Sequence, residues 1–160
     1  MKNLTKDQIN LRILTKLNFY EVMKLEVLPD QRKFVAPNSQ SIAQANYNDS
    51  SWMRGIYLDK NPVGFILLED PVTGEEGEGA KYNGLYFLWR FMIDQRYQGK
   101  GYGSKALDLL CEYVRSRPNS NFLYSSCIPG EYSAEKFYLH YGFQKTGEKI
   151  GNEIELRLEL

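Results

Sequence analysis

Apolar positions recur along the chain with two periods, and each change of period marks a change of element. Ile9, Leu11 and Ile13 alternate with Asn10 and Arg12, which predicts a first strand. Phe19, Val22, Met23 and Glu26 mark the turns of a helix predicted over Asn18 to Leu28 and ended by Pro29. FVAPNSQSIAQANYN predicts a short second helix after Pro37, with Asn38 or Ser39 as its cap. SWMRGIYLDKNPVGFILLE reads as a hairpin joined across Asp59-Lys60-Asn61-Pro62. DPVTGEEGEGAKYNG follows, Gly-rich and acidic without periodicity, and reads as an exposed connection.

The run from Leu85 to Asp94, LYFLWRFMID, is apolar almost throughout, as a central strand buried on both faces would be. Leu107, Leu110, Cys111 and Val114 then fall at i, i+3, i+4 and i+7, with Lys105, Asp108, Glu112 and Arg115 elsewhere: an amphipathic helix, stopped by Pro118. NFLYSSCI predicts a strand, and Ser133 to Tyr141 a short helix closed by Gly142. FQKTGEKI and EIELRLEL form a hairpin across Gly151-Asn152, the second strand alternating strictly and so burying one face. The predicted order is β-α-α-β-β-β-α-β-α-β-β, an α/β (α+β) mixed sheet with helices on its faces, about seven strands and four helices. With no internal repeat or linker, residues 1–160 read as one domain.

Composition narrows the function classes. Twenty basic and twenty acidic residues cancel, at a pI near 6.6, so no global charge points to nucleic acid or a membrane surface. No apolar run has transmembrane length and the N-terminus lacks a signal-peptide block, so a soluble, cytoplasmic protein is expected. Cys111 sits on the apolar side of a helix and Cys127 in a strand, the setting of packed free thiols. One histidine leaves no zinc spacing, and no metal is expected.

The chemistry concentrates in RYQGKGYGSKAL, Arg96 to Leu107, where Gly99, Gly101 and Gly103 separate strand from helix. Such a bend aims unpaired N–H groups and roughly half a positive charge at one point, and glycine removes the Cβ atoms that would keep a phosphate away. The spacing fits neither GxxxxGK[ST] nor GxGxxG. Lys100-Gly101-Tyr102-Gly103 opens like an RNA-recognition signature, but Ser104-Lys105 break it and a helix begins where a strand is needed.

Arg96-Tyr97-Gln98-Gly99-Lys100-Gly101 resembles the [QR]-x-x-G-x-[GA] pyrophosphate loop of the GNAT superfamily of acyl-CoA N-acyltransferases. SAEKFYLHYGF resembles its A-x-x-F-Y-x-x-x-G-F segment, at the right separation and in the right element order. The resemblance spans nearly the whole chain. It implies acetyl-CoA as cosubstrate and direct attack by an amine, with no enzyme nucleophile. It places the pyrophosphate on Arg96, Gln98, Gly99, Lys100, Gly101, Tyr102, Gly103 and Ser104, and the pantetheine arm on Phe91, Met92 and Ile93, with Glu131 and Ala134 nearby. Tyr138 matches the general acid that protonates the leaving thiolate, a transfer between groups of pKa about 10 and 8.5. Glu131 stands where many members carry Asn, and Trp89-Arg90 where some polyamine-acetylating members carry a carboxylate. The general base is therefore open among Glu21, Glu26, Glu153 and Glu155, which with Trp89 are the candidate substrate residues. His140 reads as a helix surface residue.

KLEVLPDQRKFVAPNSQSIAQA and YFLWRFMIDQRYQGKGYG are similar to bacterial diamine and polyamine (spermine/spermidine) acetyltransferases of the superfamily. Glu69, Asp70, Glu75, Glu76 and Glu78 form an acidic run whose summed field would attract a polycation. A small-molecule di- or polyamine is thus the expected acceptor. A peptide N-terminus, an aminoglycoside and a non-catalytic acyl-CoA-binding role are the alternatives, and a homodimer is in keeping with the superfamily.

Overall fold

Tyr86 to Ile93 forms the middle strand of a seven-stranded sheet. The structure, a computed structural model, describes residues 8–71 and 84–160. In chain order it comprises β1 (Ile9–Ile13), α1 (Phe19–Met23), a 3-10 turn (Pro29–Gln31), α2 (Asn38–Ala45), β2 (Ser51–Leu58) and β3 (Asn61–Glu69). β4 (Tyr86–Ile93), α3 (Tyr102–Arg115), β5 (Phe122–Cys127), α4 (Glu135–Tyr141), β6 (Gln144–Ile150) and β7 (Glu153–Glu159) follow. The sheet order is β1-β2-β3-β4-β5-β7-β6. Every neighbouring pair is antiparallel except β4 and β5, which run parallel. The predicted element order and mixed sheet are both present.

Two apolar layers sandwich the sheet. On one face Leu107, Leu110 and Val114 of α3 pack with Ile66, Leu68, Leu88 and Leu123. On the other, Val22, Leu25 and Ala45 pack with Phe65, Leu67 and Met92. Leu107, Leu110 and Val114 are wholly buried, each worth roughly 2 kcal/mol. That anchorage fixes the register of α3 and so the position of its N-terminus. Cys111 and Cys127 are buried and free, as their settings predict.

Three local readings need correction. The helix expected to reach Leu28 ends at Met23. The Glu26 N–H donates to the Asp94 carboxylate at 3.1 Å and its carbonyl accepts from Gln95 at 2.8 Å, so the backbone there is tied to the end of β4. Neither Asn38 nor Ser39 caps α2. Pro37 holds the cap position, while the buried Asn38 side chain donates to the Val22 carbonyl at 2.9 Å and ties α2 to α1. α4 begins at Glu135, whose N–H is met by the Ser133 hydroxyl at 3.1 Å. Both hairpins stand, with Asp59 and Gly151 supplying positive φ at their turns.

Two irregularities in β4 shape everything that follows. It pairs with β5 only through Tyr86–Leu123, Phe87–Tyr124 and Leu88–Ser125, and the strands then part. Opposite β3, Leu67 faces Arg90 and Leu68 faces Leu88, leaving Trp89 as the extra residue of a β-bulge. Tyr86 and Leu88 therefore share a layer with Phe91 and Ile93, whereas Met92 lies in the other.

Candidate active site

Where β4 leaves β5, backbone groups that a continued ladder would pair are freed. The Asp94 N–H donates to the Val63 carbonyl at 2.8 Å, so Asp94 faces β3. Alternate residues of a strand point the same way, so Met92 also faces β3 and Phe91 and Ile93 face the split. The Ile93 carbonyl is met there by the Gln98 amide at 2.9 Å. The Phe91 N–H is left as a donor in the gap. The split opens into a cleft of about 860 Å³.

One end of the cleft is the glycine bend. Gly99 and Gly101 hold φ of 72° and 79°, values that strain any side-chain-bearing residue, and a Cβ at either would meet nothing within 4 Å. The space beside the loop is open. Gly101 caps α3 without a side-chain hydrogen bond, and the first helical bond runs from Lys105 to Gly101. The N–H groups of Gly103 and Ser104 thus lack helical partners at the positive end of a 14-residue helix. That end suits an anion. A Cβ at Gly103 would approach Phe137 to 3.2 Å, so the bend packs directly on α4.

Further in stands Tyr138, 4% exposed, edge-on to Phe143 with ring centroids 5.1 Å apart. Burial pushes its phenol well above the usual tyrosine range; a hydrogen bond with Ser125 opposes the shift, and the Cys127 and Glu153 charges reinforce it. The hydroxyl is therefore a proton donor at any ordinary pH. Glu153, at the start of β7, borders the same cleft, its carboxylate accepting a hydrogen bond from the Ser126 hydroxyl. Arg90 is half-buried at the bulge: desolvation lowers its pKa and the Glu153 charge works to raise it. An acid, a carboxylate and a cation thus share one chamber.

Phe91, Met92, Ile93, Gln98, Gly99, Gly101, Tyr102, Gly103, Ser104, Ala134 and Tyr138 are brought together as the sequence anticipates, with Trp89 and Glu153. The remaining expected residues are elsewhere. The Arg96 guanidinium clamps Asp94 at 2.8 and 3.3 Å and borders a second groove, not the cleft. Burial works to raise the Asp94 carboxyl, but hydrogen bonds from Arg96 and the Glu26 backbone outweigh it and hold the group below its usual range. Lys100 turns its ammonium back onto the Arg96 carbonyl at 3.1 Å. Glu131 is exposed and outside the lining. Glu21 and Glu26 border the second groove, where Glu26 pairs with Arg32 at 3.2 Å. Glu155 is buried and accepts from the Thr146 hydroxyl at 2.8 Å. Of the four candidate bases, Glu153 alone borders the cleft.

Ser126, Cys127 and Phe34 line the cleft without having been singled out for it, and exposed His140 borders it as well as the helix surface. Strand alternation could have found Ser126, which stands opposite Glu155 in β7, beside Glu153. Nothing in the pattern marks Phe34. Among the described residues no group of three or more His, Cys, Asp or Glu is placed to hold a metal, and no helix is long and apolar enough to cross a membrane.

Two residues of the acidic run are described, and both are drawn into the fold. Asp70 is fully buried, with Arg117 at 3.1 Å and the Tyr113 hydroxyl at 2.5 Å. Glu69 is half-buried beside Asn48, its pKa raised by burial and drawn back by that hydrogen bond. Glu75, Glu76 and Glu78 lie outside the described residues.

The sequence pattern described as the acetyltransferase (GNAT) family matches residues 14–143. The spermine/spermidine N(1)-acetyltransferase of Bacillus subtilis (strain 168) is 30% identical over 140 residues, 88% of this chain and 90% of that protein. A probable spermine N(1)-acetyltransferase of Bacillus subtilis subsp. natto is 29% identical over the same shares. Among solved structures, AAC(6')-Ib in complex with ribostamycin and coenzyme A matches with a TM-score of 0.74 at 15% identity, covering 96% of this chain and 94% of that one. An acetyltransferase from Thermus thermophilus matches with a TM-score of 0.69 at 15% identity, covering 95% and 97%. At those identities the structural matches speak for the fold.

Proposed function

The chain belongs to the acetyltransferase (GNAT) family, and from that premise we propose that it acetylates a linear di- or polyamine in the split between β4 and β5. The family fixes the class: N-acetyl transfer with acetyl-CoA as cosubstrate. The acceptor is inferred from the two spermine-directed relatives. The placement of Tyr138 and Glu153 in one cleft beside the freed Phe91 N–H is the observation that carries the mechanism.

The open bend at Gly99 and Gly101 and the first-turn amides of α3 hold the pyrophosphate. The acyl arm then lies along Phe91 to Ile93, its carbonyl oxygen toward the Phe91 N–H. Glu153 takes a proton from the ammonium, directly or through water, and Ser126 fixes its orientation. The neutral amine forms a C–N bond to the acetyl carbon, and the Phe91 N–H meets the charge that develops on oxygen. As the C–S bond breaks, the Tyr138 hydroxyl gives its proton to the thiolate. The nitrogen of the new amide loses its second proton through water to the tyrosinate, the proton held by Glu153 passes to solvent, and the cycle closes without a covalent enzyme intermediate.

A polyamine presents one amine for attack and keeps other cations in reach of Glu153. Arg90 opposes it as a like charge, so the chamber favours approach along its carboxylate side. Thiol release from acetyl-CoA across spermidine, a peptide and kanamycin tests the assignment. Spermidine is expected to give the highest kcat/KM. Turnover of the peptide or kanamycin without spermidine would leave the acetyltransferase class standing and remove the polyamine acceptor.

A further inference from the structure

Phe34 and Gly130 come from opposite sides of the split. Phe34 belongs to the connection between the 3-10 turn and α2, which is attached to the β1–β4 half through α1 and α2. Gly130 follows β5 and belongs to the β5–β7–β6 half. The halves part beyond Leu88 and Ser125 and meet again where the Phe34 ring lies on Gly130. A Cβ at residue 130 would stand 2.8 Å from Phe34 Cζ and 2.9 Å from Cε1, closer than real contacts allow. Gly130 is not among the positive-φ glycines, so space rather than backbone conformation calls for glycine here. Half-buried Phe34 also lines the cleft.

Resting on the acetyltransferase reading above, we infer that the Phe34–Gly130 contact sets acceptor selectivity by width. It closes the open side of the split into a ring, bounded by β4, the connection that carries Phe34, the contact itself and the chain beyond β5. An unbranched alkylamine about 4–5 Å across passes such an opening, because its methylenes need only van der Waals clearance. A multi-ring aminosugar does not. Width adds to charge as a filter, and a hydrophobic obstacle rejects bulk that an exposed charge, screened by salt, cannot.

Phe34→Ala, with Phe34→Leu as the graded variant, tests this against spermidine and kanamycin. The ratio of kcat/KM for kanamycin over spermidine should rise at least ten-fold in Phe34→Ala and by less in Phe34→Leu, with acetyl-CoA affinity by calorimetry within about three-fold of wild type as the folding control. A ratio that stays within two-fold in a variant that binds acetyl-CoA normally overturns the inference. The polyamine reading is judged separately, by wild-type turnover of spermidine. If the wild type acetylates neither amine, width is read without turnover. Trp89 lines the cleft, and Phe34→Ala should increase quenching of its fluorescence by succinimide more than by the smaller acrylamide. Equal increases, or none, overturn the inference as well.

Discussion

Gln31 and Gln98 exchange side-chain hydrogen bonds at 2.8 and 3.1 Å, and the same Gln98 amide reaches the Ile93 carbonyl at 2.9 Å. One side chain thereby braces the glycine bend, the end of β4 and the 3-10 turn that leads to Phe34. Gln98, at a variable position of the family motif, works here as a strut.

Loss of that strut should loosen the bend without filling it. Gln98→Ala is expected to weaken acetyl-CoA binding roughly three- to ten-fold, the worth of about 1 kcal/mol of lost hydrogen bonding. Gly101→Asp should weaken it by more than about ten-fold, since it adds both a side chain in a left-handed position and a negative charge at the phosphate site. Calorimetry with acetyl-CoA distinguishes the two, and equal affinities for Gly101→Asp and wild type would dislodge the bend from its role.

Tyr138→Phe should lower kcat by roughly 10²–10⁴ while the acetyl-CoA Kd changes little. The sign of its pH dependence follows from burial. Its phenol is held above the ordinary value near 10, so the donor stays protonated throughout the working range. Wild-type kcat/KM should climb with pH as the amine loses its proton and should not turn over below about pH 10. A falling limb between pH 8 and 9 would point to another acid.

Glu153→Gln keeps the shape of the side chain and its contact with Ser126 but removes the proton acceptor. A loss of about 10²-fold or more in kcat/KM is expected at pH 7, recovering partly as pH rises and the amine deprotonates on its own. Arg90→Gln should act in the opposite sense, lowering KM for spermidine by removing a like charge from the chamber. Stopped-time assays across pH and salt would separate these; an unchanged pH profile in Glu153→Gln would exclude it as the base.

Asp70 predicts a stability effect, not a substrate effect. Asp70→Ala strands Arg117 and the Tyr113 hydroxyl, whose pKa burial and the Asp70 carboxylate push up to about 12. Breaking such a buried pair costs about 3–5 kcal/mol, roughly 6 °C or more in Tm for a domain of this size. KM for spermidine measured below the transition should stay at the wild-type value. A rise in KM without a change in Tm would return Asp70 to the acidic field read from the sequence.

Strand and helix order was legible because each period is clean: Leu107 to Val114 for α3, Ile154 to Leu160 for β7. The glycine bend was legible because Gly99 and Gly101 have a backbone reason to be there, a positive φ. Asp70 was misread as part of an acidic field because formal charge in sequence carries no burial, and it is wholly enclosed by groups 43 and 47 positions away. The choice of Glu153 among four carboxylates required the meeting of β5 and β7, a long-range pairing that local pattern does not encode. Trp89 as a bulge was hidden for a different reason. Its strand is apolar on both faces, so a shift in alternation leaves no mark on the hydrophobic pattern.

That bulge makes the pairing of β4 with β3 matter as much as the identity of its residues. Were Trp89 and Arg90 paired one to one with β3, the alternation that joins Tyr86 and Leu88 to one layer would run on unbroken, and everything after it would turn over by half a rotation. Phe91 would then spend its N–H on β3, and the split would receive the Met92 backbone in its place. A chain could keep every glycine of the bend, Tyr138 and Glu153, and still lose the site if this strand ran without its bulge. Comparison of this protein with other members of its family by residue type alone would not register the difference, whereas comparison by the register of β4 on β3 would.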